Sequence, residues 1–406
     1  MWRSRPTGTR PRFGTARSAV GLSLAGLLLL AACSDTGQQD TEQQSEPIER
    51  EVNVVETPAP RIDDPEVRLP VQLQGLEVVD PGWDTPAQQL DGIFVGAGEH
   101  GDRLLFSAID SEGVIRWEVE RPASCIGFTL ARTSEDQTIA VLSDQHEGDD
   151  GLAEFSASAY DLHTGGRLWG PVEVPGPHQG PGLVYAEPSA EPMGATGPRV
   201  ALDADTGEPV LDETEEQQVI GEYHGTAVIS DGPDLVAVST RDGDELWRQD
   251  GEAEPTPRAV PGIEPGPGIA LLAQDEHPPT LIDVTDGQII AEDVHDVSTD
   301  MSTGTRVVQV GEQLHGYDPD GEQIWNRAAA PESTIRGVGG VIGYVQEGSG
   351  LRAINALTGE TAVGFDEGDA DLAVPEALAA QGSGVVLTAD GSLLVTNVVT
   401  GEGQGP

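Results

Sequence analysis

Lysine is missing from the 406-residue chain: all 21 basic residues are arginine, set against 70 aspartates and glutamates. Such a chain lacks the clustered cations that neutralise phosphates, which excludes a nucleic-acid partner. The same charge argues against adhesion to an anionic lipid surface through the protein itself. Cysteine is nearly absent, with Cys33 and Cys125 alone, and aromatic residues make up only 4%. No apolar run reaches the ~20 residues of a membrane-spanning helix. Helical patterning is also close to nil. What is plentiful is turn punctuation, 52 Gly and 30 Pro, alongside 37% apolar residues, enough Val, Leu and Ile to build a core. The length suits two or three ordinary domains or one large repetitive one.

The first residues form a targeting segment. Arg3, Arg5, Arg10, Arg12 and Arg17 precede an uncharged apolar run from Ala19 to Leu30, the shape of a secretory signal. The run ends in Leu30-Ala31-Ala32-Cys33, which resembles the lipobox of bacterial lipoproteins. That resemblance implies that residues 1–32 are a signal peptide, that Cys33 is the mature N-terminus, and that its thiol carries diacylglycerol. It implies a cell-membrane location on the extracytoplasmic face, where two or more acyl chains anchor stably. Cleavage there leaves 16 of the 21 basic residues against 70 acidic ones, a net charge of −54. Self-repulsion of that size favours solubility. With Cys33 committed to lipid, Cys125 has no disulfide partner and is expected to be a small buried hydrophobe. Residues 33–66, rich in Gln, Glu, Asp, Thr and Pro, are expected to be a disordered tether with a reach on the order of 30 Å.

From residue 67 onward an internal repeat dominates. Eight segments share a β-rich stretch, an Asp, Asn or Ser, a turn with glycine, and a second short strand: FSAIDSEGVIRW, SAYDLHTGGRLW, VALDADTGEPVL, VAVSTRDGDELW, TLIDVTDGQIIA, HGYDPDGEQIW, RAINALTGETAV and LVTNVVTGEGQG. Their turn glycines are Gly113, Gly165, Gly207, Gly243, Gly287, Gly321, Gly359 and Gly401, a mean period of about 41 residues. That suits one four-stranded propeller blade per repeat. Glycine is placed where a left-handed backbone is needed, and the short polar residue before it can bond the loop N–H groups. Trp117, Trp169, Trp247 and Trp325 each lie four positions after their glycine, while Leu211, Ala291 and Val363 take that slot in three other copies. A large ring at one fixed place is expected to fill the gap between neighbouring blades.

The pattern x-A-x-D-x-x-T-G-x-x-x-W, clearest in SAYDLHTGGRLW, resembles the pyrroloquinoline-quinone-like (PQQ-like) repeat. The resemblance covers residues 67–406 and implies an all-β, eight-bladed propeller of four-stranded antiparallel blades. That family includes calcium- and quinone-dependent alcohol dehydrogenases and also non-enzymatic lipoproteins that bind other proteins. The dehydrogenases carry adjacent cysteines beside the quinone, and no such pair exists here. The eight histidines form no HExxH, and no GxSxG elbow exists. Asp203-Ala-Asp205-Thr-Gly207 and Asp318-Pro-Asp320-Gly321 have glycine too early for a calcium loop and no closing Glu, so they are read as turn carboxylates. The acidic stretches Asp144 to Asp150 and Glu292 to Asp296 read as solvated loops.

The reading is therefore a lipid-anchored scaffold that binds envelope proteins or polymers through its rim, without cofactor or metal; the alternative is a quinone-dependent or other propeller enzyme using the central channel. One topological expectation remains. The last repeat ends too near the C-terminus to supply its outer strand, whereas Val67 to Asp80 has alternating apolar residues and no hairpin. A strand within Val67 to Val79 is expected to pair with Leu393 to Val398, joining the two ends of the chain and covering an open edge.

Overall fold

The computed structural model describes residues 48–399, apart from residues 64, 149–150, 189–196, 215–216, 252–256, 264, 275–276, 331 and 381. Cys33 and Gly401 lie outside them. The described chain forms eight antiparallel sheets, one for each repeat, and its one helical element is a 3-10 turn at Val71–Leu73. Sheet order follows the sequence within blades 2 to 7. Each blade is thus a meander, here lettered a to d from the first strand outward. The a strands of different blades share one cavity, which fixes the axis.

Hydrophobic residues do not meet in a single central core. They gather in clusters, most of them shared by two neighbouring blades. Phe106, Trp117 and Val119 of blade 1 meet Phe128, Ala140 and Leu162 of blade 2; Val307 and Leu314 of blade 6 meet Ile335, Val345 and Ile354 of blade 7. Blade 8 and blade 1 share Val385, Leu394, Phe94 and Ile109. This is why the b strands read as unbroken apolar runs. Ile139 to Leu142 is fully buried because both faces pack against a blade.

An early and a late segment of the described chain meet in the eighth sheet. Leu76–Val79 pairs with Gly391–Val399 in the register Leu76↔Val399, Val78↔Val395 and Val79↔Leu394, so the N-terminal segment supplies the outer strand that the last repeat lacks. A further short strand, Arg61–Ile62, pairs outside it.

Two boundaries differ from the sequence reading. The tether was read to residue 66, yet Asn53–Pro58 is a fifth strand on the outer edge of blade 1, pairing Asn53↔Glu118 and Pro58↔Val114. Val52 packs against the core of blades 1 and 2. The edge of Val114–Pro122 would otherwise stay open, and valines at 52, 54 and 55 suit a strand despite the acidic setting. In blade 3 the sheet has three strands, and the a position shrinks to a single bridge, His178↔Tyr185. Pro175, Pro177 and Pro181 lie on this stretch and lack the N–H that a ladder needs.

Candidate functional site: the axial channel and the blade seams

Gln89 and Leu90 of blade 1, Leu130 of blade 2, His224 of blade 4, Ser298 of blade 6, Val338 of blade 7 and Leu378 of blade 8 surround an axial cavity of about 220 Å³. Met301 borders both this cavity and a smaller one of about 160 Å³ at the mouth, where Asp91 and Arg132 stand.

Polar groups around the axis are largely engaged between blades. Gln88 spans blades 1 and 2, its Nε2 donating to Phe128 O at 3.1 Å and its Oε1 accepting from Leu130 N at 3.0 Å. Asp296 Oδ2 of blade 6 accepts from Ile335 N of blade 7 at 2.6 Å. Arg336 of blade 7 donates to Glu376 Oε1 of blade 8 at 2.6 Å. Thr299 Oγ1 donates to Pro265 O at 2.5 Å. Burial first, and then the nearby Arg132 guanidinium, push His224 down to about 4. Its imidazole is neutral at physiological pH and makes a weak general base.

A quinone bearing several carboxylates needs cations, and Arg132 and Arg336, on the a strands of blades 2 and 7, are committed to Asp136 at 2.9 Å and to Glu376. Among the described residues no group of three His, Cys, Asp or Glu is placed to hold a metal ion. The residues present do not suit a quinone with calcium. A larger cavity, about 660 Å³, lies elsewhere, beside blade 8, between Ile62, Val67, Trp83 and Leu393, with Glu66, Asp80, Asp84, Asp371 and Asp390 around it.

The repeat residues meet at the blade seams. Each of the four repeat tryptophans reaches from a d strand to the c–d turn of the following blade. Trp117 Nε1 donates to Leu162 O at 2.9 Å, Trp169 Nε1 to Ala204 O at 2.9 Å, Trp247 Nε1 to Val284 O at 2.7 Å and Trp325 Nε1 to Ala356 O at 2.7 Å. The ring then lies on that turn's glycine. A Cβ at Gly165 would stand 2.8 Å from Trp117, at Gly207 2.4 Å from Trp169, at Gly287 3.0 Å from Trp247 and at Gly359 2.6 Å from Trp325. These glycines therefore carry two demands at once, a positive φ of 70° to 76° and no room for a side chain. Where the slot lacks Trp, the next glycine is free of contact or nearly so: Gly243 has nothing within 4 Å and Gly321 only Ile290 at 3.7 Å. Gly113, on the seam closed by the N-terminal strand, faces Thr396 and Val79.

The remaining sequence candidates are structural. Asp203 Oδ1 accepts from Asp205 N, Thr206 N and Thr206 Oγ1, closing its own turn, and Asp318 Oδ1 accepts from Glu322 N. In the acidic stretch of blade 2, Asp144 pairs with Arg50 at 2.9 Å and His146 with Glu154 at 3.0 Å. Cys125 is buried, and burial pushes its thiol up to about 11, so it is no nucleophile at neutral pH. Sequence reasoning missed Gln88, Asp300 and Glu222 and read Asp296 as part of a solvated loop, whereas it lies on the strand Val294–Thr299; all four bond to main-chain groups of neighbouring blades.

Residues 153–310, blade 2 into blade 6, match the PQQ_2 family model, described as outer membrane protein assembly factor BamB. The chain carries PQQ-like propeller repeats. Among solved structures, BamB from Moraxella catarrhalis aligns over 84% of this chain and 99% of its own, at 15% identity and a TM-score of 0.41. Apo AztD from Citrobacter koseri aligns over 80% and 97%, at 14% identity and a TM-score of 0.42. Quinohemoprotein alcohol dehydrogenase from Comamonas testosteroni aligns over 88% and 77%, at 13% identity and a TM-score of 0.40. A comparison with curated proteins gave no match.

Proposed function

We propose that this chain is a lipid-anchored, extracytoplasmic propeller that binds envelope proteins or polymers as a non-enzymatic scaffold. The observation that carries the reading is how the axis is furnished: its polar side chains bind neighbouring blades to each other, and its histidine is held neutral far below the range of a useful base. The family match over residues 153–310 supports an outer-membrane-assembly type of role, and the Leu30-Ala31-Ala32-Cys33 motif supports the anchor. Partners then meet the loops and outer strands, where blade propellers vary without disturbing the seams.

The test is a crosslinked pull-down from envelopes holding either the wild type or Cys33→Ser. Specific envelope partners captured by the wild type, with the variant released from the membrane fraction, support the proposal. Labelled fatty acid entering the variant would remove the anchor from it. A stoichiometric quinone–calcium complex with dehydrogenase activity would replace the scaffold by an enzyme.

A further inference from the structure

Glu222 ends the a strand of blade 4 and is only 2% exposed. Its Oε2 accepts from Leu183 N of blade 3 at 2.9 Å, and its Oε1 accepts from Gly225 N in its own turn at 2.5 Å. One side chain thus joins the a–b turns of two blades. No ion pair of Glu222 with an arginine or histidine is found among the described residues. The titratable groups around it are Asp203 from the c–d turn of blade 3, Tyr223 and His224, which follow it directly in the chain, and His178 of blade 3, which bonds Gly182 O beside Leu183. Burial keeps both histidines below their ordinary range, hence neutral.

The seam around Glu222 also lacks the tryptophan latch. Blade 3 has Leu211 rather than Trp in the slot, Gly243 across from it is free of contact, and the a strand of blade 3 is a single bridge. We propose that the boundary between blades 3 and 4 is a proton-controlled joint, closed while Glu222 is protonated and loosened when it ionises. An ionised carboxylate buried beside Asp203 with no cation is favoured by any opening that lets water in. Burial first, and then Asp203, raise Glu222 to about 7, against the donation of Gly225 N and Leu183 N, so the transition falls within the physiological range.

The fold contains its own control. Asp300 follows the a strand of blade 6 and bridges a seam in the opposite sense, its Oδ2 accepting from Val341 N of the following blade, blade 7, at 2.8 Å. Burial alone would raise Asp300, but the Ser302 hydroxyl and the N–H groups of Val341, Ser302 and Thr303 hold it below the usual carboxylate value. That joint stays ionised and closed at neutral pH.

Hydrogen exchange of peptides containing Leu183 and Gly225, normalised to the peptide containing Val341, tests the proposal between pH 5.5 and 8.5 in the full-length protein. The normalised protection is expected to fall by about tenfold or more as pH rises. In Glu222→Gln the trend should vanish, and in Asp203→Asn, which removes a charge that raises Glu222, its midpoint should move to lower pH. A wild-type ratio that is flat with pH overturns the joint. So does an unchanged trend in Glu222→Gln or, where that variant fails to fold, an unmoved midpoint in Asp203→Asn.

Discussion

Between blades 6 and 7, Trp325 lies on the Gly359 turn and donates to Ala356 O, and a buried Asp300 of blade 6 bonds Val341 N. Between blades 3 and 4 the Trp slot holds half-buried Leu211, the Gly243 turn is uncontacted, and the bridging carboxylate is Glu222 of blade 4, whose charge burial disfavours. Both seams use one repeat position for an apolar plug and one turn position for a carboxylate. They differ in how well each is satisfied. The comparison teaches that a propeller is held seam by seam, so a ring can carry a weak boundary provided its neighbours are well latched.

The largest expected effect lies in the plug. Trp117→Ala and Trp169→Ala remove rings that are 0% and 8% exposed, and each should lower the unfolding free energy in urea by roughly 3–5 kcal/mol. Leu211→Ala, at the weaker seam, should lose less than either. Equal losses would mean that the tryptophans hold no more than an ordinary side chain does.

Turn glycines sharpen the same contrast. Gly243→Ala meets open space and carries only the left-handed backbone penalty of about 1–2 kcal/mol. Gly359→Ala should cost clearly more, because its Cβ also strikes the Trp325 ring. Thermal unfolding of the two variants side by side would show whether the order holds.

The carboxylates give a pH signature. Glu222 is raised when folded relative to its ordinary value of 4.5, so the stability it contributes is fully present below that value and is lost as pH rises through about 7. Urea midpoints should therefore decline across this window in the wild type, and decline less in Glu222→Gln. Asp300 runs the other way. Held below its ordinary value of 3.8, it adds stability above that value which disappears as pH falls below it. The smallest effect belongs to the surface. Arg248 pairs with Asp231, Asp234 and Glu245 but is partly exposed, so Arg248→Ala should move the urea midpoint least of all these variants, and that little should shrink further in high salt.

The c–d hairpins were legible in the sequence because their demands are local. Gly165 needs its positive φ, and Asp161 bonds Thr164 within the same turn. The strand order of each blade and the N-terminal supply of the eighth sheet's outer strand also followed from counting. The seam bonds were not legible, since each joins groups far apart in the chain. Glu222 reaches Leu183 across 39 residues, Asp296 reaches Ile335 across 39 and Asp300 reaches Val341 across 41. These separations are close to one repeat, so a carboxylate closing an apolar strand, read against the residue one period away, is the signal that would have found them. The strap at Asn53–Pro58 escaped for another reason. Its strand is defined by the open edge of Val114–Pro122 rather than by its own acidic composition.

A double-mutant cycle between Trp325 and Gly359 tests the latch most directly, with Leu211 and Gly243 as the unlatched reference pair. The account predicts that Gly359→Ala is strongly destabilising alone and much less so in the Trp325→Ala background, where the new methyl group enters space the ring has left. The coupling should fall within the 0.5–3 kcal/mol seen for residues in contact, and the reference pair should be additive. Additive losses at Trp325 and Gly359 would contradict the claim that these tryptophans and glycines hold the blades together.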